Sequence, residues 1–413
     1  MPEQPETPSR GALIATTVVT PIGPAPVRGA RLDEVRVLHG GSLAWEDGTL
    51  VFVGPASELP AGFEAVDHQG CTVVPGFVDC HTHLPFVGWR ADEFETRLAG
   101  RSYRELHGEG GIYRSARLLA EASDEQVLNF CGPLVREMAD HGTTTLELKT
   151  GYGLSVEGEL RQARLAHRLA EIAPQRCLVT LLACHAVPQG RDRASWVRAV
   201  CEELIPEVAE ASLADAVDVY VEDIAFSTGD LQAVAEAATL AGMGLRCHAD
   251  QLGDSGAAAA AVALGSRSAD HLNHLNGQGI EALGAGTTVA TVLPASTFVL
   301  RETSPPVRRL LEAQAALALA TDFNPGTSPV LSMPEAIAMG CTLYGLTPHQ
   351  ALTAATANPA WVLGVADRTG TLEPGKRADF LVLEGDAFAQ VPYRPGHDPV
   401  LHTFVGGRRV AGR

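Results

Sequence analysis

Two histidines, His81 and His83, follow an apolar run that spans residues 71–78. The run predicts a buried strand, and side chains spaced i, i+2 on an extended backbone point to the same side. Two imidazoles on one face form half of a metal site, because neutral histidine is a common ligand of zinc and iron. The pair alone is equally compatible with two hydrogen-bonded histidines at a strand end, so the rest of the chain has to decide.

Strand-like apolar runs recur through the middle of the chain, with helical stretches between them. The runs are 71–83, 143–149, 178–185, 217–222, 244–248, 269–271, 288–293 and 317–322. The helical stretches include 124–141, 157–172, 195–209, 231–241 and 256–264. Repeated β-then-α units predict an α/β protein with a (β/α)8 barrel, in which catalytic residues gather at the C-terminal ends of the strands.

Polar side chains fall at the predicted strand ends. They are His81 and His83 on the first strand, His185 on the third, His248 on the fifth, His271 on the sixth and Asp322 on the eighth. Polar groups buried at the mouth of an apolar barrel cost several kcal/mol unless they are satisfied together, as a bound cation would do.

The four residues His81, His83, His248 and Asp322 suit one zinc or ferrous ion with room for water. Such an ion lowers the pKa of a bound water from about 15.7 toward about 7, which supplies hydroxide at neutral pH.

Short strands punctuated by turns occupy both ends of the chain. Asp47-Gly48 and Gly406-Gly407 are hairpin turn signals. Because chain ends commonly lie close together, we predict one small β-sandwich domain made of residues 1–70 and 365–413, with the barrel at 71–364.

The formal net charge of −18 argues against a nucleic-acid or anionic-membrane partner, since no concentrated basic surface is present. The eight cysteines are scattered without Cys-x-x-Cys spacing, which favours a reducing cytoplasm. The run at 11–19 is too short for a signal or spanning segment. The sequence leaves the oligomeric state open, and a homodimer is compatible with it.

Several ordered motifs resemble the metal-dependent amidohydrolase superfamily. They are Pro75-Gly76-Phe77-Val78-Asp79-Cys80-His81-Thr82-His83, Thr321-Asp322-Phe323-Asn324-Pro325-Gly326 and Gly375-Lys376-Arg377-Ala378-Asp379. Within it, a narrower set is similar to the imidazolonepropionase family over nearly the whole chain. That set includes Lys149-Thr150-Gly151-Tyr152-Gly153-Leu154, His185-Ala186-Val187-Pro188, His248-Ala249-Asp250-Gln251 and Ser268-Ala269-Asp270-His271-Leu272.

The resemblance implies a function and a ligand set. Enzymes of that family hydrolyse the ring amide of 4-imidazolone-5-propanoate to N-formimidoyl-L-glutamate in histidine degradation. The family's barrel with a small flanking β-sandwich agrees with the predicted fold. Its metal positions map onto His81, His83, His248 and Asp322, and either zinc or iron fits them.

The resemblance also implies contacts to the substrate. Arg90 would bind the propanoate through its guanidinium fork, and Tyr152 would contact the substrate. His185 would be both a substrate contact and a catalytic residue, since it can donate to the substrate carboxylate or the ring carbonyl. Three residues that follow the metal aspartate in the sequence would hold the polar tail of the product: Asn324, Gly326 and Thr327.

Gln251 lies where related barrel deaminases carry a glutamate that shuttles protons, and glutamine cannot titrate. This counts against a cytosine or guanine deaminase and leaves Gln251 as a substrate contact. We therefore expect Asp322 to take the proton of the attacking water and deliver it to the departing ring nitrogen. His271 would orient the hydroxide or stabilise charge on the attacked carbonyl oxygen.

Lys149 ends the predicted second strand. Some superfamily members carry a carboxylated bridging lysine on the fourth strand, so the position of Lys149 favours a single metal.

Two alternatives stay open at this point. One is another cyclic amidohydrolase or a deaminase acting on a different heterocycle, and the other is a barrel kept as a non-catalytic scaffold. The charged and glycine-rich segment 89–112 is either a lid or a surface loop.

Overall fold

The computed structural model describes residues 10–101, 105 and 110–412. Its strands in chain order are β1 (Arg10–Pro21), β2 (Val35–Glu46), β3 (Thr49–Pro55), β4 (Ala65–Pro75), β5 (Phe77–Asp79), β6 (Thr143–Lys149), β7 (Arg176–Cys184), β8 (Ala216–Val221), β9 (Gly244–Ala249), β10 (Ser268–His271), β11 (Val289–Val292), β12 (Leu317–Leu319), β13 (Phe380–Glu384), β14 (Val400–Val405) and β15 (Arg408–Gly412).

The helices surround these strands. In chain order they are α1 (Ala91–Leu98), α2 (Gly111–Glu121), α3 (Asp124–Asp140), α4 (Val156–Ile172), α5 (Arg193–Ala199), α6 (Ile205–Glu210), α7 (Thr228–Leu240), α8 (Ala257–Ala263), α9 (Gly277–Ala285), α10 (Pro294–Leu300), α11 (Val307–Glu312), α12 (Met333–Tyr344), α13 (Pro348–Ala355), α14 (Ala357–Val362) and α15 (Gln390–Tyr393). Short 3-10 turns occupy Gly29–Asp33 and Ala56–Glu58.

Strands β5 to β12 form one parallel sheet in chain order. The sheet closes where Thr82 bridges Phe323 in parallel and the amide of His83 donates to the carbonyl of Phe323 at 2.9 Å. On the same seam, the carboxylate of Asp79 accepts from the amide and the hydroxyl of Thr321. The predicted (β/α)8 barrel is therefore confirmed, and the end of its last strand is hydrogen bonded to the end of its first strand.

The barrel strands put their polar side chains inside. In β6, Leu146 and Leu148 join an apolar cluster with Val135 of α3 and Leu165 of α4. Because side chains alternate along a strand, the intervening Glu147 faces the barrel interior, where it is fully buried. The interior thus carries charges that must be paired.

Strands from both chain ends form a second sheet, of mixed direction, in the order β15-β14-β13-β4-β1-β2-β3. The predicted hairpin turns are present, with β2 and β3 joined at Asp47-Gly48 and β14 and β15 at Gly406-Gly407. Trp45 and Phe380 pack in the core of this sheet, 5.2 Å apart between ring centroids. The small β domain made from both termini is confirmed.

The strand predicted at 71–83 is two strands, because the chain passes from one sheet to the other at Gly76. The amide of Gly76 donates to Asp379 in the terminal sheet, and the next amide, of Phe77, donates to Gly142 in the barrel. A Cβ on Gly76 would lie 2.1 Å from the hydroxyl oxygen of Thr144, so only glycine fits the crossing. The domain limits stay a prediction, and we propose Gly76 as the first boundary.

The helix predicted at 195–209 is interrupted. Helices α5 and α6 are joined by a π-helical turn at Val200–Leu204. Pro206 lies in the first turn of α6 and has no amide hydrogen to donate, so the local hydrogen-bond register changes there.

Among the described residues, no helix combines the length and the apolar character that crossing a membrane requires.

Candidate metal centre

Four polar side chains from three barrel strands meet at the C-terminal mouth of the barrel. Oδ1 of Asp322 lies 3.2 Å from Nε2 of His83 and 3.6 Å from Nε2 of His81. Nε2 of His248 lies 3.5 Å from Nε2 of His83. The residues predicted as ligands from distant positions in the sequence are thus brought together, each of them buried.

Two carboxylates fix how the imidazoles present their nitrogens. Nδ1 of His81 lies 2.7 Å from Oδ2 of Asp270, and Nδ1 of His248 lies 3.0 Å from Oδ2 of Asp218. A carboxylate only accepts, so the hydrogen bond of His81 with Asp270 puts the hydrogen on Nδ1 and leaves the lone pair of Nε2 for the centre. Asp218 is the carboxylate beside Nδ1 of His248.

These donors fit a divalent cation. The ligand atoms of His81, His83 and Asp322 lie within 4.8 Å of one another. Nε2 of His81 is fully buried and has no hydrogen-bond partner among the described residues. A buried nitrogen left without a partner is costly in a protein interior, and a metal ion coordinated by nitrogen and oxygen relieves that cost.

Protonation states at the centre favour ligation. Burial lowers the pKa of His81 and His83, so both rings are neutral at pH 7. Burial opposes the ionisation of Asp322, but its hydrogen bond with His83 and the neighbouring His271 lower its pKa overall. In the same way His248 and Lys149 outweigh the burial of Asp218 and hold its pKa well below its usual range.

Strained backbone lies at several of these strand ends. The φ angles of Asp250, His271, Leu272 and Asp322 are +51°, +76°, +65° and +55°. Residues other than glycine rarely adopt this conformation, and such strain clusters at functional sites. Here it turns the chain sharply at the C-terminal ends of the strands, where the mouth is lined by His271 and Asp322.

A cavity opens beside the four ligands. Its lining contains all the side chains predicted to touch the substrate except Gly326, and the complete lining is His83, Arg90, Ile112, Tyr152, His185, Tyr220, His248, Gln251, His271, Asp322, Asn324 and Thr327. Sequence analysis did not single out Ile112 or Tyr220. Tyr220 pairs with His248 across neighbouring strands, a register that the sequence does not record.

Arg90 reaches the cavity from the loop after β5. Its Nε lies 3.5 Å from Oε2 of Glu93, and its Nη1 donates to the hydroxyl of Ser115 at 3.3 Å. Gly326 lies directly against the guanidinium, since a Cβ there would be 1.7 Å from Nη2 of Arg90. Gly326 therefore acts by leaving room for Arg90, and Glu93 is a neighbour that sequence analysis missed.

Tyr152 stands on a loop that α4 holds in place. The carboxylate of Glu159 accepts the amides of Gly151 and Gly153 at 3.0 and 2.7 Å, and Gln162 accepts the amide of Tyr152 at 2.9 Å. All these groups are buried or nearly so, which makes the loop a rigid wall of the cavity.

His185 and Asn324 are already hydrogen bonded. Nδ1 of His185 donates to the carbonyl of Gly151 at 3.1 Å, so its Nε2 can donate only when the ring is an imidazolium. Oδ1 of Asn324 accepts the amides of Gly326 and Thr327 at 2.9 and 2.7 Å. The contacts of Asn324, Gly326 and Thr327 with the product stay a prediction.

The segment 89–112 is described only in part. Helix α1 and the cavity-lining residues Arg90 and Ile112 belong to it, while residues 102–104 and 106–109 lie outside the described residues. The choice between lid and surface loop stays open.

His271 predicts an acid-dependent loss of stability. Burial lowers its pKa from 6.5 to about 3, so between these values the unfolded chain binds a proton that the folded chain does not. Stability from this group is complete above pH 6.5 and falls as the pH drops. The test is urea unfolding of the metal-free protein at several pH values from 7 to 4. The free energy of unfolding should fall less steeply with falling pH in His271→Asn than in the unaltered protein, by up to about 1.4 kcal/mol per pH unit.

If His271→Asn left the pH dependence of the unfolding free energy unaltered, that result would contradict a buried neutral ring.

Comparison with known proteins agrees with this geometry. Residues 72–410 match the model of the amidohydrolase family. The chain therefore belongs to the amidohydrolase family.

Two relatives place it more narrowly. A protein of Aeromonas salmonicida (strain A449) named imidazolonepropionase is 41% identical over 395 residues, which cover 94% of this chain and 96% of the relative. One of the same name from Rubrobacter xylanophilus is 42% identical over 397 residues, covering 94% and 95%. By this identity the chain belongs with the imidazolonepropionases within the amidohydrolase family.

Solved structures share the fold at low sequence identity. A zinc-bound adenosine deaminase from Xanthomonas campestris has a TM-score of 0.72 at 19% identity, covering 99% of this chain and 94% of its own. Guanine deaminase of E. coli has a TM-score of 0.71 at 18% identity, covering 98% and 100%. At such identities the likeness concerns the fold alone.

Proposed function

We propose that this chain hydrolyses the ring amide of 4-imidazolone-5-propanoate to N-formimidoyl-L-glutamate, as a metal-dependent enzyme of histidine degradation. The observation that carries the proposal is near full-length identity of 41 and 42% to relatives named imidazolonepropionase. The converging donors His81, His83, His248 and Asp322 support it, since a scaffold would have no need to keep them together.

The substrate carboxylate would be held by Arg90. Its guanidinium is buried at the cavity wall and is braced by Glu93 and Ser115, so it meets an anion with its geometry already set. Tyr152, after β6, and Gln251, after β9, both line the cavity and would contact the ring, with Gln251 accepting a ring N–H or donating to a carbonyl.

His81, His83, His248 and Asp322 would hold a divalent cation, which would supply the positive charge that lowers the pKa of a water molecule toward neutrality. Asp322 is ionised and lies beside both His81 and His83, so it can accept the proton of the attacking water. The bond between the ring carbonyl carbon and nitrogen breaks, and Asp322 returns the proton to the departing nitrogen. Neutral His271 lies at the same mouth, where it can donate to the attacked carbonyl oxygen.

A substrate panel tests this proposal. Purified protein is assayed with 4-imidazolone-5-propanoate, a hydantoin, guanine and cytosine, by loss of substrate absorbance and release of ammonia. We expect turnover of the imidazolone compound alone and without ammonia. Ammonia released from guanine or cytosine would instead establish a deaminase, and no turnover of any compound by metal-loaded protein would favour a scaffold.

Removing the metal should abolish turnover. Dialysis against a chelator is expected to reduce activity in proportion to metal content, because in the proposed mechanism the bound cation lowers the pKa of the attacking water. Adding Zn²⁺ or Fe²⁺ should restore activity, and comparing the two identifies the working ion. Full activity after complete metal removal would contradict the proposed mechanism.

We also propose a cytoplasmic location. The eight cysteines are all free thiols, four of them buried, which suits a reducing compartment.

A further inference from the structure

Beneath the four inferred ligands the barrel holds charged side chains that the proposed reaction does not use. All of them are buried and lie on β6, β8, β9 and β10, and they are Glu147, Lys149, Asp218, Arg246 and Asp270. Burying so many charges costs free energy even when they are paired, so replacing such a group by apolar side chains often stabilises a protein. Their presence under a reactive centre therefore calls for a role other than stability.

Lys149 is the cation at the middle of this group. Its Nζ lies 2.7 Å from Oδ2 of Asp218 and 2.9 Å from Oε2 of Glu147, and its side chain is inaccessible to solvent. The same Oδ2 of Asp218 lies 3.0 Å from Nδ1 of His248. Lys149, Asp218 and His248 thus form a continuous chain of contacts that ends at a metal ligand.

The donor atoms around this chain resemble a cation site. Those of Asp218, His248 and Asp270 lie within 4.8 Å of one another. The ammonium of Lys149 contacts Asp218 beside them, so an internal cation supplies positive charge to this cluster. A second metal ion would compete with Lys149 for Asp218.

Strand register makes the arrangement specific. Tyr220 and Asp270 are the partners of His248 on the two neighbouring strands, so Asp218 and Asp270 approach the ring of His248 from both sides. Oδ2 of Asp270 contacts Nδ1 of His81 at 2.7 Å, and Oδ2 of Asp218 contacts Nδ1 of His248 at 3.0 Å.

We propose that Lys149 is a positioning residue of the metal centre, whose ammonium fixes Asp218 so that Asp218 holds the His248 ring with Nε2 toward the ion. The inference rests on the proposed metal site, but it concerns how that site is held. Lys149 touches neither substrate nor metal and acts only through Asp218.

The test replaces Lys149 by an apolar side chain of similar length, Lys149→Met. The Zn²⁺ dissociation constant is measured by competition with a chromophoric chelator, and the visible spectrum of the Co²⁺-loaded protein reports ligand geometry. We expect about 10- to 100-fold weaker zinc binding, as for other groups that orient a metal-binding histidine, and shifted cobalt bands. Unchanged affinity with an unchanged spectrum would overturn the proposal.

The matched control is Thr180→Val, in the same buried layer. The hydroxyl of Thr180 bonds Glu147 and Arg246 but no carboxylate that touches an imidazole. Its zinc affinity and cobalt spectrum should equal those of the unaltered protein. An equal loss in this variant would show that any change in the layer disturbs the centre, and would overturn a specific role for Lys149.

A double-variant cycle tests the route through Asp218. Asp218→Asn keeps the volume of the side chain and should weaken zinc binding over the same range. Because Lys149 acts through Asp218, adding Lys149→Met to Asp218→Asn should cost little more, whereas losses that multiply would overturn the route. Should Lys149→Met fail to fold, Lys149→Leu takes its place in both experiments.

The two proposals fail differently. Absence of metal or of turnover in the unaltered protein would remove the proposed function. Variants that bind zinc as the unaltered protein does, while that protein is active, would remove only the role of Lys149.

Discussion

Asp322→Asn should lower kcat by about three orders of magnitude or more while leaving the fold intact. Asparagine keeps the shape of the side chain but cannot take up and return a proton, and proton transfer by a positioned group contributes about 10²- to 10⁴-fold. It also removes one negative charge from a site that binds a cation. Steady-state kinetics on 4-imidazolone-5-propanoate, with the metal content of each preparation measured in parallel, gives the result.

The control for this variant is Asp79→Asn. Asp79 is buried on the same seam and bonds the neighbouring Thr321, but it lies outside the ligand set. If damage to the barrel seam were the cause, Asp79→Asn should lose as much kcat as Asp322→Asn, whereas loss of proton transfer should lower kcat only in Asp322→Asn. If metal-loaded Asp322→Asn turned over at a near-normal rate, Asp322 would not be the proton-transfer group.

Arg90→Met should lower kcat/KM by about 10²-fold or more. The guanidinium is the cation that the cavity offers to the propanoate, and a charge-assisted hydrogen bond contributes about 1.5–3 kcal/mol, with a bidentate pair forming two. Most of the loss should appear in KM, since the carboxylate is remote from the bond that breaks. Arg90→Lys should recover only part of it, because an ammonium cannot reproduce the planar fork.

Gly326→Ala tests the same contact without touching the arginine. The new Cβ would lie 1.7 Å from Nη2 of Arg90, so the guanidinium must move, and the loss should approach that of Arg90→Met. Gly229→Ala is the matched control, since its Cβ would find nothing nearer than 3.7 Å in α7. Normal kinetics for Gly326→Ala would contradict the proposal that the Arg90 guanidinium binds the substrate carboxylate from its observed position.

The sequence could bring the proposed ligands together because each lies at the C-terminal end of a predicted barrel strand. A barrel brings such positions to one rim whatever the register between strands. The same reasoning found Arg90 and Tyr152 only through resemblance to a family, since a loop arginine or a tyrosine between glycines has no pattern of its own.

The pairing of the buried carboxylates with the histidines could not be predicted from the sequence, because it depends on contacts between different strands. That Asp218 faces His248, and Asp270 faces His81, follows from strand register and side-chain packing, which no local pattern records. The break at Gly76 was missed because apolar residues stand on both sides of it, although Pro75-Gly76 is itself a turn signal. The nearby Thr144 of another strand shows why glycine is needed where the chain changes sheets.

Anomalous X-ray scattering from crystals of the purified protein, recorded at the zinc and iron absorption edges, tests the metal centre most directly. The account predicts one strong peak at one of the two edges, enclosed by Nε2 of His81, His83 and His248 and by Oδ1 of Asp322. A metal-replete crystal with no peak there, or with its peak held by other side chains, would contradict it.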